Sequence, residues 1–186
     1  MMRISGGDRG GRQIKMKART RQGLRPTSSR AKTAIFNILP HDLSGLKALD
    51  LFAGSGALGL EALSRGAALA VFVDAGREAF RLIQDNLRAL DFRDRGQLVS
   101  KKVGPALEEL GARDARFDLI FMDPPYDQGL VGKTLAQVAR SGALAPGGLV
   151  VVEHSGREMP AEKYPPLQLS DQRRYGDSWI SFFQLE

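Results

Sequence analysis

The stretch KALDLFAGSGALGLEALSRG, residues 47–66, decides the fold. Its first part, 47–53, is mostly apolar and predicts a buried strand, whereas 57–66 predicts a helix that Gly66 closes. The glycines between them, at positions 54, 56 and 59, spell GxGxxG. Such a turn brings backbone close to a ligand at a helix N-terminus. The stretch therefore predicts the first strand–helix unit of an α/β sheet, with a ligand at its loop.

Strands and helices go on alternating downstream of this unit. Further strands are predicted at 69–74, 97–102, 117–123 and 147–154, and helices at 77–90, near 105–110 and at 131–142. Two last strands, near 167–175 and 178–184, are joined by YGDS and predict a hairpin. We therefore expect an α/β fold with a seven-stranded, mostly parallel sheet, helices on both faces and an antiparallel C-terminal hairpin.

The positive charge is concentrated at the N-terminus. Residues 1–32 carry ten Lys or Arg and one acid, Asp8, for a net +9, whereas the other 154 residues carry 17 basic and 20 acidic residues, for a net −3. RQIKMK (12–17) alternates as a strand does. We predict an exposed basic β-hairpin arm over 1–25 and a helix over 27–39, capped by Thr27 or Ser28. The asymmetry favours an anionic polymer as partner, and a solubilising tail is the alternative.

Length and composition narrow the class of protein. With 186 residues the chain fits a single domain, here the arm 1–25 and a core 26–186. The absence of cysteine excludes disulfides and thiolate metal sites and suits a reducing cytosol. We expect no signal peptide and no membrane span, because the apolar runs are only strand-sized.

Asp50 and Asp74 identify the ligand of the glycine loop. Asp74 ends the next strand, where a carboxylate can bind the hydroxyls of a ribose. Asp50 comes just before the loop, and its charge would repel the pyrophosphate of NAD. The same charge suits the cationic amino and sulfonium region of S-adenosylmethionine. The alternative is a tight turn without a ligand.

DPPY, residues 123–126, is the second chemical signal, at the end of the fourth strand of the core. Pro124 and Pro125 fix the backbone and remove two N–H donors, leaving a rigid row of acceptors with the Asp123 carboxylate. Such a row suits the NH2 group of a base, and Tyr126 can stack on its ring. Positioning and electrostatics then account for most of the rate of methyl transfer, without a metal. The alternative is a strand-ending turn.

The combination resembles class I S-adenosylmethionine methyltransferases and, more closely, the RsmD family of bacterial 16S rRNA guanine-N2 methyltransferases. The similar stretches are 2–14, 25–39, 49–67, 118–126, 144–155 and 173–183. The resemblance implies a cytoplasmic, monomeric enzyme that acts on 16S rRNA within a small-subunit particle. It implies that the methionine part is held by Asp50, Ala53, Gly54, Ser55 and Gly56, the ribose by Asp74 and the target amino group by Asp123, Pro124, Pro125 and Tyr126. We assign RNA contacts to Arg3, Arg9, Arg12, Lys15, Lys17 and Arg25.

The chain departs from this family at two positions. Asp74 stands where the family usually has Glu, and Pro105 stands where it often has an Asp or Asn that holds the adenine amino group. DPPY also occurs in adenine-N6 methyltransferases of DNA or RNA, which therefore remain an alternative. A catalytically silent nucleic-acid-binding protein and an NAD oxidoreductase are the more distant ones.

Overall fold

The structure, a computed structural model, describes residues 2–16 and 29–186. Lys17, Arg25 and the cap predicted at Thr27 or Ser28 lie outside the described residues. The strands are β1 Met2–Arg3, β2 Gln13–Ile14, β3 Lys47–Leu51, β4 Leu69–Val73, β5 Gly96–Val99, β6 Phe117–Met122, β7 Leu144–Ser155, β8 Lys163–Tyr164, β9 Leu167–Tyr175 and β10 Ser178–Leu185. The helices are α1 Ser29–Ile38, α2 Ala57–Ser64, α3 Arg77–Ala89, α4 Val103–Ala112 and α5 Leu130–Ser141.

The main sheet has the strand order β5-β4-β3-β6-β7-β10-β9-β8. Strands β3 to β7 are parallel to one another, whereas β10 runs antiparallel to both β7 and β9. The α/β class, the mostly parallel sheet and the C-terminal hairpin are thereby confirmed. The chain winds outward in opposite directions from β3 and from β6, so a crevice opens at the carboxyl ends of these two strands.

The sheet has eight strands where the sequence predicts seven. The additional strand, β8, has two residues, which pair with Gln168 and Leu167 of β9. Two residues are too few to show a period of two, so sequence patterning has nothing to detect. In the described part of the chain, no helix is long and apolar enough to cross a membrane.

Apolar side chains cover both faces of the sheet. Residues 119 and 121 of β6 pack into one buried cluster with α1, α2 and α3, and residues 120 and 122 pack into the other with α4 and α5. Alternate residues of a strand face opposite sides, so the apolar run of β6 supplies both cores. This is the pattern expected of a strand buried on both faces.

The N-terminal hairpin exists, but it is not the exposed arm that the charge pattern predicts. Strands β1 and β2 pair antiparallel, and Met2, Ile4 and Ile14 are buried in the core cluster with α2 and α3. The backbone N–H groups of Ser5 and Gly6 each donate to the Glu61 carboxylate at 2.8 Å. The three spaced apolar residues dock the hairpin on the core. In the sequence they stand among many cations, so their apolar pattern is hard to detect.

A buried ion pair fixes this docking. Glu61 lies inside α2 without solvent exposure and forms a salt bridge with Lys32 of α1, which is itself 1% exposed. The Arg65 guanidinium binds the same carboxylate at 3.1 Å. Burial raises the pKa of Glu61, but Lys32 and the hydrogen bonds from Ser5 lower it, and the net result is a lowered pKa. The hairpin, α1 and α2 therefore share one charged centre, which is costly to break.

Candidate active site

The glycine loop has the backbone that its sequence requires. Gly54 and Gly56 adopt left-handed φ angles of 56° and 79°, which favour glycine. A Cβ at Gly59 would lie 2.4 Å from the Phe72 ring, so α2 can approach β4 only with glycine there. At Gly54 the nearest atom to such a Cβ is 3.9 Å away. The loop is therefore tight against the sheet beneath and open above Gly54.

Asp50 is more buried than a residue at a ligand surface needs to be. It is 2% exposed, and its carboxylate accepts the N–H of Gly59 in the first turn of α2 at 2.9 Å. Burial raises the pKa of Asp50 to about 7; the Gly59 bond opposes this rise, and the nearby Asp74 adds to it. A nearby cation would favour the carboxylate form. Asp50 thus helps to build α2, as well as being suited to a cationic ligand.

Asp74 meets the glycine loop, as its spacing predicts. One carboxylate oxygen accepts the N–H of Gly54 at 2.9 Å and the other accepts the N–H of Gly76 at 2.7 Å. The side chain is half-buried. Each oxygen has a second lone pair for a hydroxyl group of a ligand. The two separate sequence signals therefore converge at one end of the sheet.

Ala53 and Ser55 form the inner wall of the loop. Both are buried, and the Ala53 N–H donates to the Val73 carbonyl at 3.1 Å. The Ser55 carbonyl accepts the side-chain amide of Asn86 at 3.0 Å. The same Asn86 amide exchanges two hydrogen bonds with the backbone of Lys15, at 2.8 and 3.0 Å. One buried side chain of α3 therefore joins the glycine loop to the end of the N-terminal hairpin.

The sheet register brings the DPPY motif to the same crevice. Asp50 is paired with Phe121, and Phe121 is paired with Val151. Asp123 directly follows the end of β6 and Glu153 lies in β7, each two residues beyond this paired position, so alternation directs both towards the same face of the sheet. Asp123 is half-buried. The burial of Tyr126 is the main cause of the raised pKa of its hydroxyl, and the charge of Asp123 adds to that rise.

Glu153 and Ser178 are functional candidates that the sequence reasoning missed. The Tyr126 hydroxyl donates to the Glu153 carboxyl at 2.9 Å and lies 3.1 Å from the Ser178 Oγ. Glu153 is 1% exposed, and burial raises its pKa. In the described part of the chain, Oε2 of Glu153 is a buried side-chain atom without a hydrogen-bond partner. The signal was available, since a glutamate in the apolar run VVVEH is out of place.

Pro105 lies in the first turn of α4, where proline is tolerated, and its ring is exposed. It offers no side-chain hydrogen bond. His154, the residue after Glu153 in β7, is fully buried and bonded to Ser181 at 2.7 Å, and burial lowers its pKa.

Within the described residues, the four cations assigned to RNA have partners in the protein. Arg9 donates to the Leu90 carbonyl at 2.9 Å, Arg12 to the Ala89 carbonyl at 3.4 Å and Arg3 to the Gly11 carbonyl at 2.8 Å. Lys15 forms a salt bridge with Asp85 at 2.9 Å. These contacts place the basic hairpin at the C-terminal end of α3. Exposed ion pairs such as that of Lys15 are weak and can exchange partners.

Comparison with known proteins agrees with this geometry over almost the whole chain. The family model described as Conserved hypothetical protein 95 matches residues 2–184. "Putative rRNA methyltransferase YlbH" of Bacillus subtilis is 33% identical over 183 residues, which are 98% of each chain. "Ribosomal RNA small subunit methyltransferase D" of Escherichia coli K12 is 36% identical over 152 residues, 82% of this chain and 74% of that one. The solved structure of "Putative methyltransferase yhhF from Escherichia coli" has a TM-score of 0.82 at 32% identity and covers 99% of this chain and 97% of its own.

Proposed function

The chain belongs to the Conserved hypothetical protein 95 family, the RsmD family of S-adenosylmethionine-dependent methyltransferases, and on this premise we propose that it methylates the exocyclic N2 amino group of a guanine in 16S rRNA. The observation that carries the proposal is the convergence of two motifs. The glycine loop with Asp74 and the DPPY motif with Glu153 end at one crevice. A methyl donor and a base must meet at one point, and this crevice supplies a group for each.

The residues of the glycine loop fit S-adenosylmethionine. The open space above Gly54 leaves room for a ligand, and the half-buried Asp74 offers acceptor lone pairs to ribose hydroxyls. Asp50, whose pKa is raised to about 7, suits a cationic amino group that would stabilise its carboxylate. When bound, the cofactor supplies a methyl group attached to a sulfonium sulfur. This sulfur is a good leaving group when the methyl group is transferred. Asp50, Ala53, Gly54, Ser55 and Gly56 would hold its methionine part.

The DPPY motif would orient the amino group. The lone pair of an exocyclic base nitrogen is delocalised into the ring. Hydrogen bonds from its N–H groups to the Asp123 carboxylate and the Pro124 carbonyl would direct the lone pair towards the methyl group. Tyr126, its hydroxyl held by Glu153 and Ser178, presents its ring as a stacking surface. Preorganised contacts of this kind need no rearrangement during the reaction.

The N-terminal cations would bind phosphate and carry no base choice. We propose this role for Arg3, Arg9, Arg12, Lys15, Lys17 and Arg25, in a monomer that acts in the cytoplasm on a small-subunit particle. If the segment neutralises about four to six phosphates, log affinity should fall against log salt with a slope of about −3 to −5. Size-exclusion chromatography with light scattering tests the monomer, and equal methylation of free rRNA and particles would contradict the preference for particles.

Methyl transfer from labelled S-adenosylmethionine tests the proposal directly. Free 16S rRNA, small-subunit particles lacking the modification and duplex DNA serve as acceptors, and mass spectrometry identifies the modified nucleoside. We expect N2-methylguanosine from the RNA substrates and no label in DNA. N6-methyladenosine would support the alternative that DPPY leaves open. An Asp123→Ala variant with normal cofactor binding is the matched control for contaminating activity.

A further inference from the structure

Two turns project from the sheet beside the target-base motif. Strand β7 ends at Ser155, which pairs with Ser178 at the start of β10, so the loop after β7 and the β9–β10 turn leave the sheet at the same place. This is the edge that carries Asp123, because β7 is parallel to β6 and ends beside it. Both turns therefore flank the site where a base would enter.

Each turn is anchored to the DPPYD segment. The Ser178 Oγ lies 3.1 Å from the Tyr126 hydroxyl, which anchors the β9–β10 turn. On the other side, the Ser155 hydroxyl donates to the Asp127 carboxylate at 2.9 Å, and the Asp127 N–H donates to Glu158 at 3.0 Å. The loop after β7 also lies close to the start of β10, since a Cβ on Gly156 would lie 3.1 Å from the Trp179 indole nitrogen.

The side chains on the loop after β7 and at the end of β9 suit single-stranded RNA; Arg174 and Tyr175, consecutive in β9, project to opposite sides of this edge. Met159 and Tyr175 are the large hydrophobic residues that the described part of the chain exposes, at 45% and 37%. Arg174 lies over the Trp179 ring at 6.0 Å, and its Nε donates to the Gly176 carbonyl. Exposed aromatic rings beside guanidinium groups are how proteins stack unpaired bases and bind the adjoining phosphates.

From this arrangement we infer that Arg157, Met159, Arg174 and Tyr175 form an RNA-binding rim that holds the nucleotides flanking the target base. The inference rests on the proposed function, because it takes RNA as the substrate. A base that enters the DPPY site must leave its stack, and its neighbours then lie against the rim. Arg157 is 86% exposed and only loosely paired with Asp127, at 3.4 Å, so a phosphate can replace that partner. The rim lies at the carboxyl edge of the sheet, apart from the N-terminal hairpin at the end of α3.

The test compares four variants for binding and methylation of transcribed 16S rRNA. Tyr175→Ala and Arg174→Ala should each weaken RNA binding at least about fivefold and raise KM in proportion, as the loss of one stacked base does. Their kcat at saturating RNA and their affinity for S-adenosylmethionine should stay within about twofold of wild type. Tyr175→Phe keeps the ring and should bind normally. Arg116→Ala is the matched control, since Arg116 precedes β6 at the opposite edge and pairs with Asp114 at 2.9 Å.

The possible outcomes separate this inference from the proposed function. If the wild-type protein methylates rRNA and both alanine variants bind it normally, the rim is wrong and the proposed function stands. If the wild-type protein neither binds nor methylates rRNA, both fail. Equal losses in Arg116→Ala and Arg174→Ala would show a non-specific charge effect and would also overturn the rim.

Discussion

Replacing Asp50 with Asn tests the assignment of the cofactor through pH. Burial raises the pKa of Asp50 to about 7 in the ligand-free protein. Below pH 7 the carboxyl is therefore increasingly protonated, and binding a cationic amino group there requires the release of that proton. If the bound state keeps the carboxylate, the dissociation constant of S-adenosylmethionine should rise about tenfold between pH 8 and pH 6.

The Asp50→Asn variant distinguishes the titration of the Asp50 carboxyl from the titration of other groups in the protein. Its amide oxygen can still accept the Gly59 N–H, which the carboxylate accepts at 2.9 Å, but it cannot titrate. We expect cofactor binding at pH 8 to weaken by about 10- to 150-fold, the equivalent of a charge-assisted hydrogen bond of about 1.5–3 kcal/mol. The variant should also lose the tenfold pH dependence. Isothermal titration calorimetry at pH 6, 7 and 8 measures both effects.

The same substitution should stabilise the protein without its ligand. The raised pKa means that the folded state retains a proton which the unfolded state releases near pH 4, so stability falls as pH rises from about 4 to 7. Moving a pKa from 3.8 to about 7 corresponds to a deficit of about 4 kcal/mol above pH 7, as an upper bound. Asp50→Asn removes this deficit, which chemical denaturation at pH 8 measures. The reasoning would be refuted if wild-type affinity changed less than twofold from pH 8 to pH 6, or if the variant were less stable.

Four further predictions concern the rest of the site. Asp123→Ala should lower kcat by about 10²–10³ and leave S-adenosylmethionine affinity within about twofold, and near-normal single-turnover rates would exclude its assigned role. Glu153→Gln should keep the Tyr126 hydrogen bond and most of the activity, whereas Glu153→Leu should leave the hydroxyl with Ser178 alone and lower kcat; equal activities would show that the carboxyl does not position the ring. Asn86→Leu should cost at least about 2 kcal/mol in the free energy of unfolding, because the part-buried backbone N–H and carbonyl of Lys15 and the buried carbonyl of Ser55 lose their partner, and an unchanged denaturation midpoint would contradict this. Replacing both Arg3 and Arg12 with Gln should flatten the salt dependence of RNA binding by about 1.4–1.8 in slope while cofactor affinity stays constant, and a slope equal to wild type would favour the solubilising-tail interpretation.

Periodicity and turn chemistry predicted most of the fold. The last two strands were expected near 167–175 and 178–184 and lie at Leu167–Tyr175 and Ser178–Leu185. Their alternation and the YGDS turn are local signals. The contact of Asp74 with the glycine loop was also predictable, because neighbouring parallel strands end at one edge.

The docking of the N-terminal hairpin was not predictable in the same way. Its anchors are long-range contacts, such as those of Ser5 and Gly6 with Glu61, more than fifty residues away. Nothing in the local charge pattern distinguishes cations that bind a polymer from cations that bind helix carbonyls. The consequence is practical, since deleting residues 1–22 would remove Met2, Ile4 and Ile14 from the core, and substitutions of exposed side chains test RNA binding more cleanly.

The Asn86 amide connects the basic N-terminal hairpin to the core of the protein. Its oxygen and nitrogen hold the N–H and the carbonyl of Lys15, and the same nitrogen holds the Ser55 carbonyl. A glycine loop with two left-handed glycines has few conformational restraints of its own. The two hydrogen bonds between Asn86 and Lys15 form only while the hairpin stays docked, and Glu61 with its ion pair anchors that docking. The apolar residues of the hairpin therefore stabilise the glycine loop, while its exposed cations remain available at the surface for a phosphate backbone.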